Sequence, residues 1–458
     1  MNPHIFRQYD IRGVVDEDLT ETIVFDIGRA LGTELRDAGG QRIVVGRDGR
    51  TSSDRFFEAL SSGLREVGVS VVDIGRVPTP VCYFAANFYD DVHGLAMITG
   101  SHNPPSHNGL KVGIGTATMS GGAIQNLRAR IESEQFASAQ APGTLEARDA
   151  IEPYLAYLEE NLAFGERRFP VVVDAGNGMG GVTALPMLEA AGFPTTGLYL
   201  EPDGTFPHHE ADPTVEANLL DLKRSLAESE AELGVAYDGD GDRIGVVAPG
   251  GRVIWGDELM VLFARQVLSE IPGAAIVAEV KCSKRLYDEI ERLGGRPIMW
   301  AAGHSLIKEK MRREGAMLGG EMSGHIFFAD RYYGFDDACY ATGRLLEILS
   351  RTDQSIDTLL ADLPLTYSTP ELRVECPEAL KFEVVAGVTE RLAKDREVIT
   401  VDGARVLYPD GWGLVRASNT QPLLVLRFEA ESEARLAEIR EEVEGIVRQV
   451  RSELESRA

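Results

Sequence analysis

Gly94-Leu-Ala-Met-Ile-Thr-Gly-Ser-His-Asn-Pro-Pro-Ser-His-Asn-Gly-Leu-Lys111 is apolar at first and turns polar at Thr99. Gly94–Ile98 reads as a buried strand. The glycine- and proline-rich stretch behind it reads as a loop. Ser101 lies there beside Gly100, His102 and Asn103, with Lys111 further on. A hydroxyl to carry a phosphoryl group, an approachable backbone and donors for its oxygens make this a place to hold phosphate. Asn-Pro-Pro followed by Asn-Gly is also strong turn chemistry, so other loops must decide between the two readings.

Strand-like runs ending in glycine loops recur at Ile43–Gly46, Ser70–Gly75, Pro170–Gly176, Gly234–Gly239, Ala275–Lys281 and Pro297–Gly303. Amphipathic helical patterns such as Asn218–Glu228 and Asp257–Glu270 alternate with them. Strand alternating with helix is the α/β pattern. Residues 136–150 read as a linker, and Pro364 to Pro370 marks a second boundary. Beyond it come β-like runs, Leu372–Val374, Val398–Val401 and Leu423–Phe428. A closing helix carries Leu436, Ile439, Val443, Ile446, Val447, Val450 and Leu454 at helical spacing. The expected division is three α/β domains, 1–145, 146–254 and 255–366, and an α+β domain, 367–458. Any internal repeat between the α/β units is weak in sequence.

A chain of 458 residues implies three or four such domains. Its net charge of −26 argues against nonspecific nucleic-acid binding. No run approaches the length of a membrane span, and the N-terminus lacks the apolar core of a signal peptide. Cys82, Cys282, Cys339 and Cys376 form no metal-type pair. A reduced, cytoplasmic protein without nucleic-acid or membrane partners is expected.

Three further loops carry chemistry. Val235-Ala-Tyr-Asp-Gly-Asp-Gly-Asp-Arg243 brings Asp238, Asp240 and Asp242 off one strand. Hard oxygen ligands so closely spaced suit Mg²⁺. An EF-hand wants glycine and glutamate where Arg243 and Pro249 stand. Leu318-Gly-Gly-Glu-Met-Ser-Gly-His325 places Glu321, Ser323 and His325 where they can hydrogen-bond neighbouring sugar hydroxyls. Val415-Arg-Ala-Ser-Asn-Thr-Gln421, with Arg427 on the next strand, makes a phosphate cradle. Gly176-x-Gly178-x-x-Gly181 matches a dinucleotide fingerprint, but it follows a complete α/β unit and leaves the aspartate loop without a purpose. No Walker-type loop supports a kinase.

Taken in order, Thr99-Gly-Ser-His-Asn-Pro104, Asp238-Gly-Asp-Gly-Asp-Arg243, Gly320-Glu-Met-Ser-Gly-His325 and Arg416-Ala-Ser-Asn-Thr420 resemble the α-D-phosphohexomutase family, most closely its bacterial phosphomannomutase/phosphoglucomutase branch. The resemblance runs from Tyr9-Asp-Ile-Arg-Gly13 to the last domain. It implies three α/β domains with mixed sheets and a C-terminal α+β domain around a central cleft. Ser101 would carry the phosphoryl group and, with Asp238, Asp240 and Asp242, bind Mg²⁺. His102, Lys111, Arg12 and His325 would complete the catalytic set. Tyr9, Arg243, Lys281 and His304 would line the cleft. Glu321, Met322, Ser323 and Gly324 would meet the sugar, and Arg416, Ala417, Ser418, Asn419, Thr420 and Arg427 the distal phosphate. The implied reaction interconverts hexose 1- and 6-phosphates through hexose 1,6-bisphosphate, with glucose 1,6-bisphosphate as activator; the number of domains points to a monomer. The rivals are phosphoglucosamine mutase, a Mg²⁺-dependent sugar phosphatase and an inactive phosphosugar-binding protein. One departure stands out: the branch has a lysine at the second residue of Trp300-Ala-Ala-Gly-His-Ser305, where this chain has Ala301. His325 or Lys281 is expected to cover its role.

Overall fold

A computed structural model describes residues 1–418 and 422–456. Four sheets follow one another along the chain. In the first, strands Arg42–Arg47, Ser70–Arg76, Gly94–Ile98 and Leu145–Ala147 run parallel. His107–Ile114 turns back antiparallel to Gly94–Ile98, and Ile11–Val14 pairs antiparallel to it at the edge. The second sheet has Val171–Asp174 between Leu233–Tyr237, its central strand, and Thr195–Leu198, both parallel to it. The third has Ala275–Glu279 between Arg296–Trp300 and Leu318–Gly320, again parallel. The six-stranded last sheet is antiparallel in every pairing and carries helices Lys381–Leu392 and Glu433–Glu455. Parallel strands joined by helices are buried on both faces, which is why Gly94–Ile98, Leu233–Tyr237 and Ala275–Glu279 are buried throughout.

A common device positions the chemistry. Each sheet contains an antiparallel hairpin, and the last pair before each turn is Ile98↔Leu110, Tyr237↔Ile244, Gly320↔Ile326 and Ala417↔Leu424. The first three loops singled out above are the turns of these hairpins, and the fourth joins the two strands of the last pair. The stretch read as a linker is not wholly one. Leu145–Ala147 adds an edge strand to the first sheet, with Val71↔Leu145 in register, so that sheet runs past residue 145.

One contiguous core extends from Val44 to Leu360 through the first three sheets and includes Phe84, Tyr154, Phe263 and Tyr340. The last sheet and its two helices close a separate core. No helix among the described residues is long and apolar enough to cross a membrane.

Helices Glu21–Asp37 and Ser53–Glu66 bring their backbones into contact at two glycines. A Cβ on Gly63 would lie 2.1 Å from the Phe25 carbonyl oxygen, and one on Gly28 2.4 Å from that of Leu60. Backbone cannot yield as a side chain tip does, so Gly63→Ala is expected to destabilise the first domain by about 1–3 kcal/mol. A urea midpoint equal to wild type would show that the helices separate at no cost.

Candidate active site

The first two turns meet face to face. Ser101 has φ +50°, a left-handed conformation that costs a non-glycine residue of order 1–3 kcal/mol and is held by its surroundings. Its hydroxyl donates to Asp238 Oδ2 at 3.0 Å and lies 3.1 Å from His102 Nδ1. The approach is close because position 239 has no side chain: a Cβ there would sit 2.4 Å from the Ser101 carbonyl oxygen. The Gly176–Gly181 run packs behind the aspartate loop, where a Cβ on Gly178 would meet Gly239 Cα at 2.8 Å. That packing accounts for those glycines without a nucleotide.

Asp238, Asp240 and Asp242 are fully buried, with one oxygen of each within 4.8 Å of the others. Lys111, on the returning strand of the first hairpin, lies 3.2 Å from Asp240 Oδ2 and also pairs with Asp242. Thr79 Oγ1 donates to Asp240 Oδ2 at 2.6 Å. Burial raises the Asp238 pKa well above the carboxylate range, and the charges of Asp242 and Asp240 add to it. Burial pushes the other way on Lys111, but Asp240 and Asp242 outweigh it and hold the ammonium well above the usual lysine value. Oδ1 of Asp240 and of Asp242 has no hydrogen-bond partner. Hard, buried, underused oxygens are what an oxygen-seeking divalent cation requires, so this donor set fits Mg²⁺.

The third turn comes from the other side. Arg243 Nε donates to His325 Nε2 at 2.9 Å. His325 Nδ1 is 3.0 Å from Asp336 Oδ2 and 3.5 Å from Asp242 Oδ1. His304 stacks on His325, their ring centres 5.7 Å apart, and Tyr9 meets His304 edge-on. Glu321 accepts from the Gly303 amide, and the Ser323 hydroxyl points back at Glu321 from 3.4 Å. Glu279 takes the Met322 amide at 2.9 Å. Its burial, against the pull of Lys281, lifts its pKa to about 7. Gly324 is left-handed and lies against Ile244, whose amide donates to the Gly324 carbonyl. Arg12 bridges Asp10 at 2.7 Å and Asn103 at 3.0 Å, beside the serine loop.

The strand that leads into the fourth loop brings Arg416 beside the third domain. Arg416 pairs with Asp402 at 2.9 Å, and Asp402 also accepts from the Ala302 amide. Lys381 donates to the Ser418 carbonyl at 2.7 Å. Ala417 ends the strand beneath it. Asn419 and Thr420 lie outside the described residues. Lys281 is held by Glu371 at 3.1 Å and lies 3.5 Å from Glu279.

Arg427, on the strand that follows, makes its described contacts away from Arg416. It donates to the Lys281 carbonyl at 2.6 Å, contacts Met322 Sδ and faces Asp257 at 3.5 Å. Pairing sets it opposite Leu414, two rungs from Arg416. It therefore faces the same way as Arg416 but lies under the third domain. Sequence reasoning missed Asp336, Lys308 and Thr79. Lys308 binds Asp336 at 3.0 Å and lies over the Tyr83 ring. None of the three belongs to a short motif, so only the fold brings them in.

Hairpin turns of three sheets and a strand end of the fourth, brought together with a serine, three aspartates and a basic rim, define a multidomain phosphoryl-handling site. Models of the phosphoglucomutase/phosphomannomutase alpha/beta/alpha domains I, II and III match residues 3–138, 152–251 and 255–367, and that of the C-terminal domain residues 371–446. The chain belongs to the phosphoglucomutase/phosphomannomutase family. It is 46% identical to a phosphomannomutase/phosphoglucomutase of Pseudomonas aeruginosa over 95% of this chain and 94% of that one. A phosphoglucomutase of Neisseria gonorrhoeae is 43% identical over 97% and 96%. The crystal structure of a phosphoglucomutase/phosphomannomutase family protein from Burkholderia thailandensis superposes with a TM-score of 0.91 at 43% identity, covering 98% and 97%.

Proposed function

We propose that this protein interconverts the 1- and 6-phosphates of glucose and mannose by exchanging a phosphoryl group between Ser101 and the sugar. The carrying observation is the Ser101 hydroxyl 3.0 Å from Asp238, at the meeting point of an acidic loop and a basic rim. The names of the relatives favour glucose and mannose over glucosamine.

In this reading the Arg416 loop holds the phosphate that is not transferred, and Glu321 and Ser323 orient the sugar hydroxyls. The free hydroxyl then faces the phosphoserine. The bond from phosphorus to Ser101 Oγ breaks as the bond to the sugar oxygen forms. The sugar hydroxyl gives its proton to His325 Nε2, which exchanges the Arg243 N–H for it while Nδ1 faces Asp336. The released Ser101 oxygen takes up a proton from solvent to become the free hydroxyl. Lys111 and Arg12 balance charge on the phosphoryl oxygens, the main work in such transfers. The bisphosphate turns within the cleft, and its other phosphate returns to Ser101 as the proton goes back. Ser101, Asp238, Asp240 and Asp242 would hold Mg²⁺, which supplies further neutralisation when bound. Working conditions follow: Mg²⁺, glucose 1,6-bisphosphate to keep Ser101 phosphorylated, a monomer and a reducing cytoplasm. Four buried free cysteines support the last of these.

The test is phosphorus NMR with Mg²⁺, trace glucose 1,6-bisphosphate and glucose 1-, mannose 1- or glucosamine 1-phosphate in turn. Appearance of 6-phosphates without free phosphate is expected, with glucose and mannose ahead. Free phosphate would mean a phosphatase, and binding without turnover an inactive phosphosugar receptor. The role of the missing lysine is taken by His325 or by Lys281, whose neighbour Val280 donates to the Trp300 carbonyl next to Ala301. Ala301→Lys should therefore raise kcat only about threefold or less. A rise of several orders of magnitude would show that nothing covers the position.

A further inference from the structure

Beneath the serine loop lies a buried guanidinium that the mechanism above does not use. Arg50 follows strand Arg42–Arg47 in the Asp48-Gly-Arg50 turn, and its side chain is 1% exposed. Nη2 donates to the carbonyls of Ser101 at 2.7 Å and Asn103 at 2.5 Å. Nη1 donates to those of Pro104 at 2.7 Å and His107 at 2.9 Å. Asp48 lies 3.2 Å from Nε and accepts from the Gly100 amide at 3.2 Å. Gly100 rests directly on the guanidinium, where a Cβ would come within 2.4 Å. The Phe206 ring from the second domain also lies against the guanidinium, 5.1 Å away.

We infer that Arg50 is the positioning residue of the serine loop: its planar fork gathers four carbonyls and so fixes the left-handed turn that aims the Ser101 hydroxyl at the aspartate loop. A loop with Ser101 at positive φ, glycine before it and two prolines after it has no ladder of its own to hold it. Four carbonyls drawn to one side require a donor with that many N–H bonds in a fixed plane. Arginine has them, whereas lysine has three donors on one point. Asp48 complements the fork by taking an amide, so the pair grips the loop by both kinds of backbone group. Phe206 caps the guanidinium from the second domain, which also supplies the aspartates. The inference deepens the mutase reading and rests on it.

Two substitutions test it beside wild type in one coupled assay, with melting curves. Arg50→Lys keeps the charge but cannot span the four carbonyls. It should lower kcat about a hundredfold, the cost of roughly an ångström of misplacement at a reacting group, with KM within threefold of wild type. Phe206→Leu keeps every hydrogen bond and removes the covering ring. It should lower kcat about three- to tenfold at unchanged KM and melting temperature. A merely structural role would instead lower the amount of folded enzyme and leave kcat per folded molecule unchanged. Arg50→Lys at wild-type kcat overturns the assignment. Should that variant not fold, Phe206→Leu at wild-type kcat overturns it equally. Wild type that turns over no hexose phosphate overturns the mutase reading and this one together. Active wild type with unaffected variants overturns this one alone.

Discussion

Ser101→Ala is expected to abolish turnover on every hexose phosphate, a loss of at least ~10⁴-fold as for removal of a covalent nucleophile, while leaving the fold intact. The second half of that statement follows from which atoms hold the loop. The Ser101 amide donates to Thr99 Oγ1 at 2.8 Å, and its carbonyl accepts from Arg50. The hydroxyl alone faces Asp238 and His102. Deleting Oγ therefore removes the acceptor of the phosphoryl group and none of the bonds that shape the turn. Alanine at φ +50° is strained about as much as serine, so the melting temperature should fall little. Two measurements check this: initial rates with glucose 1-phosphate at saturating Mg²⁺, and intact mass after incubation with glucose 1,6-bisphosphate. Wild type should gain a phosphoryl mass increment that the variant never shows. A variant that keeps most of its activity would take Ser101 out of the covalent step and leave the cleft as a site for direct transfer or hydrolysis.

The same atoms explain how much could be read in advance. Ser101, Asp238, Glu321 and Arg416 were legible because each chemical loop interrupts an apolar run, and four such interruptions in order are specific. The repeated hairpin was not. Its returning strands, Ile244–Val247 and Ile326–Phe328, have four and three residues and are buried throughout. They show no alternation by which a strand can be recognised. The edge strand Leu145–Ala147 was hidden for the opposite reason, being short, largely exposed and set in small and turn-forming residues. For Arg427 the side-chain period of a strand gives the face but not the depth along it. It lies on the face of Arg416, two rungs further down, where the third domain covers it. Arg50 and Asp336 lie in unremarkable contexts, and their work is done on residues 51 and 11 positions away.

Lys111→Met is the variant in which stability and activity are expected to part company. The Lys111 ammonium is the close counter-charge of Asp240 and Asp242, all three within a few per cent of complete burial. Removing one partner of a buried pair costs about 3–5 kcal/mol, because it leaves carboxylates uncompensated in a poorly polarisable interior. Wild type without Mg²⁺ already has that compensation and the variant does not. Mg²⁺ binds the same carboxylates, so it should raise the melting temperature of Lys111→Met much more than that of wild type and close most of the gap between them. Binding to the folded state alone stabilises by about 2.7 kcal/mol at a hundredfold excess over Kd, enough to offset a large part of the loss. Activity should not follow. The lysine also balances charge on the moving phosphoryl group, and loss of one such preorganised group costs about 10²–10³-fold in kcat. The variant should therefore be stable and nearly inactive at high Mg²⁺. Melting curves with and without Mg²⁺ decide the matter: equal Mg²⁺-induced shifts in the two proteins would mean that lysine and cation do not serve the same carboxylates.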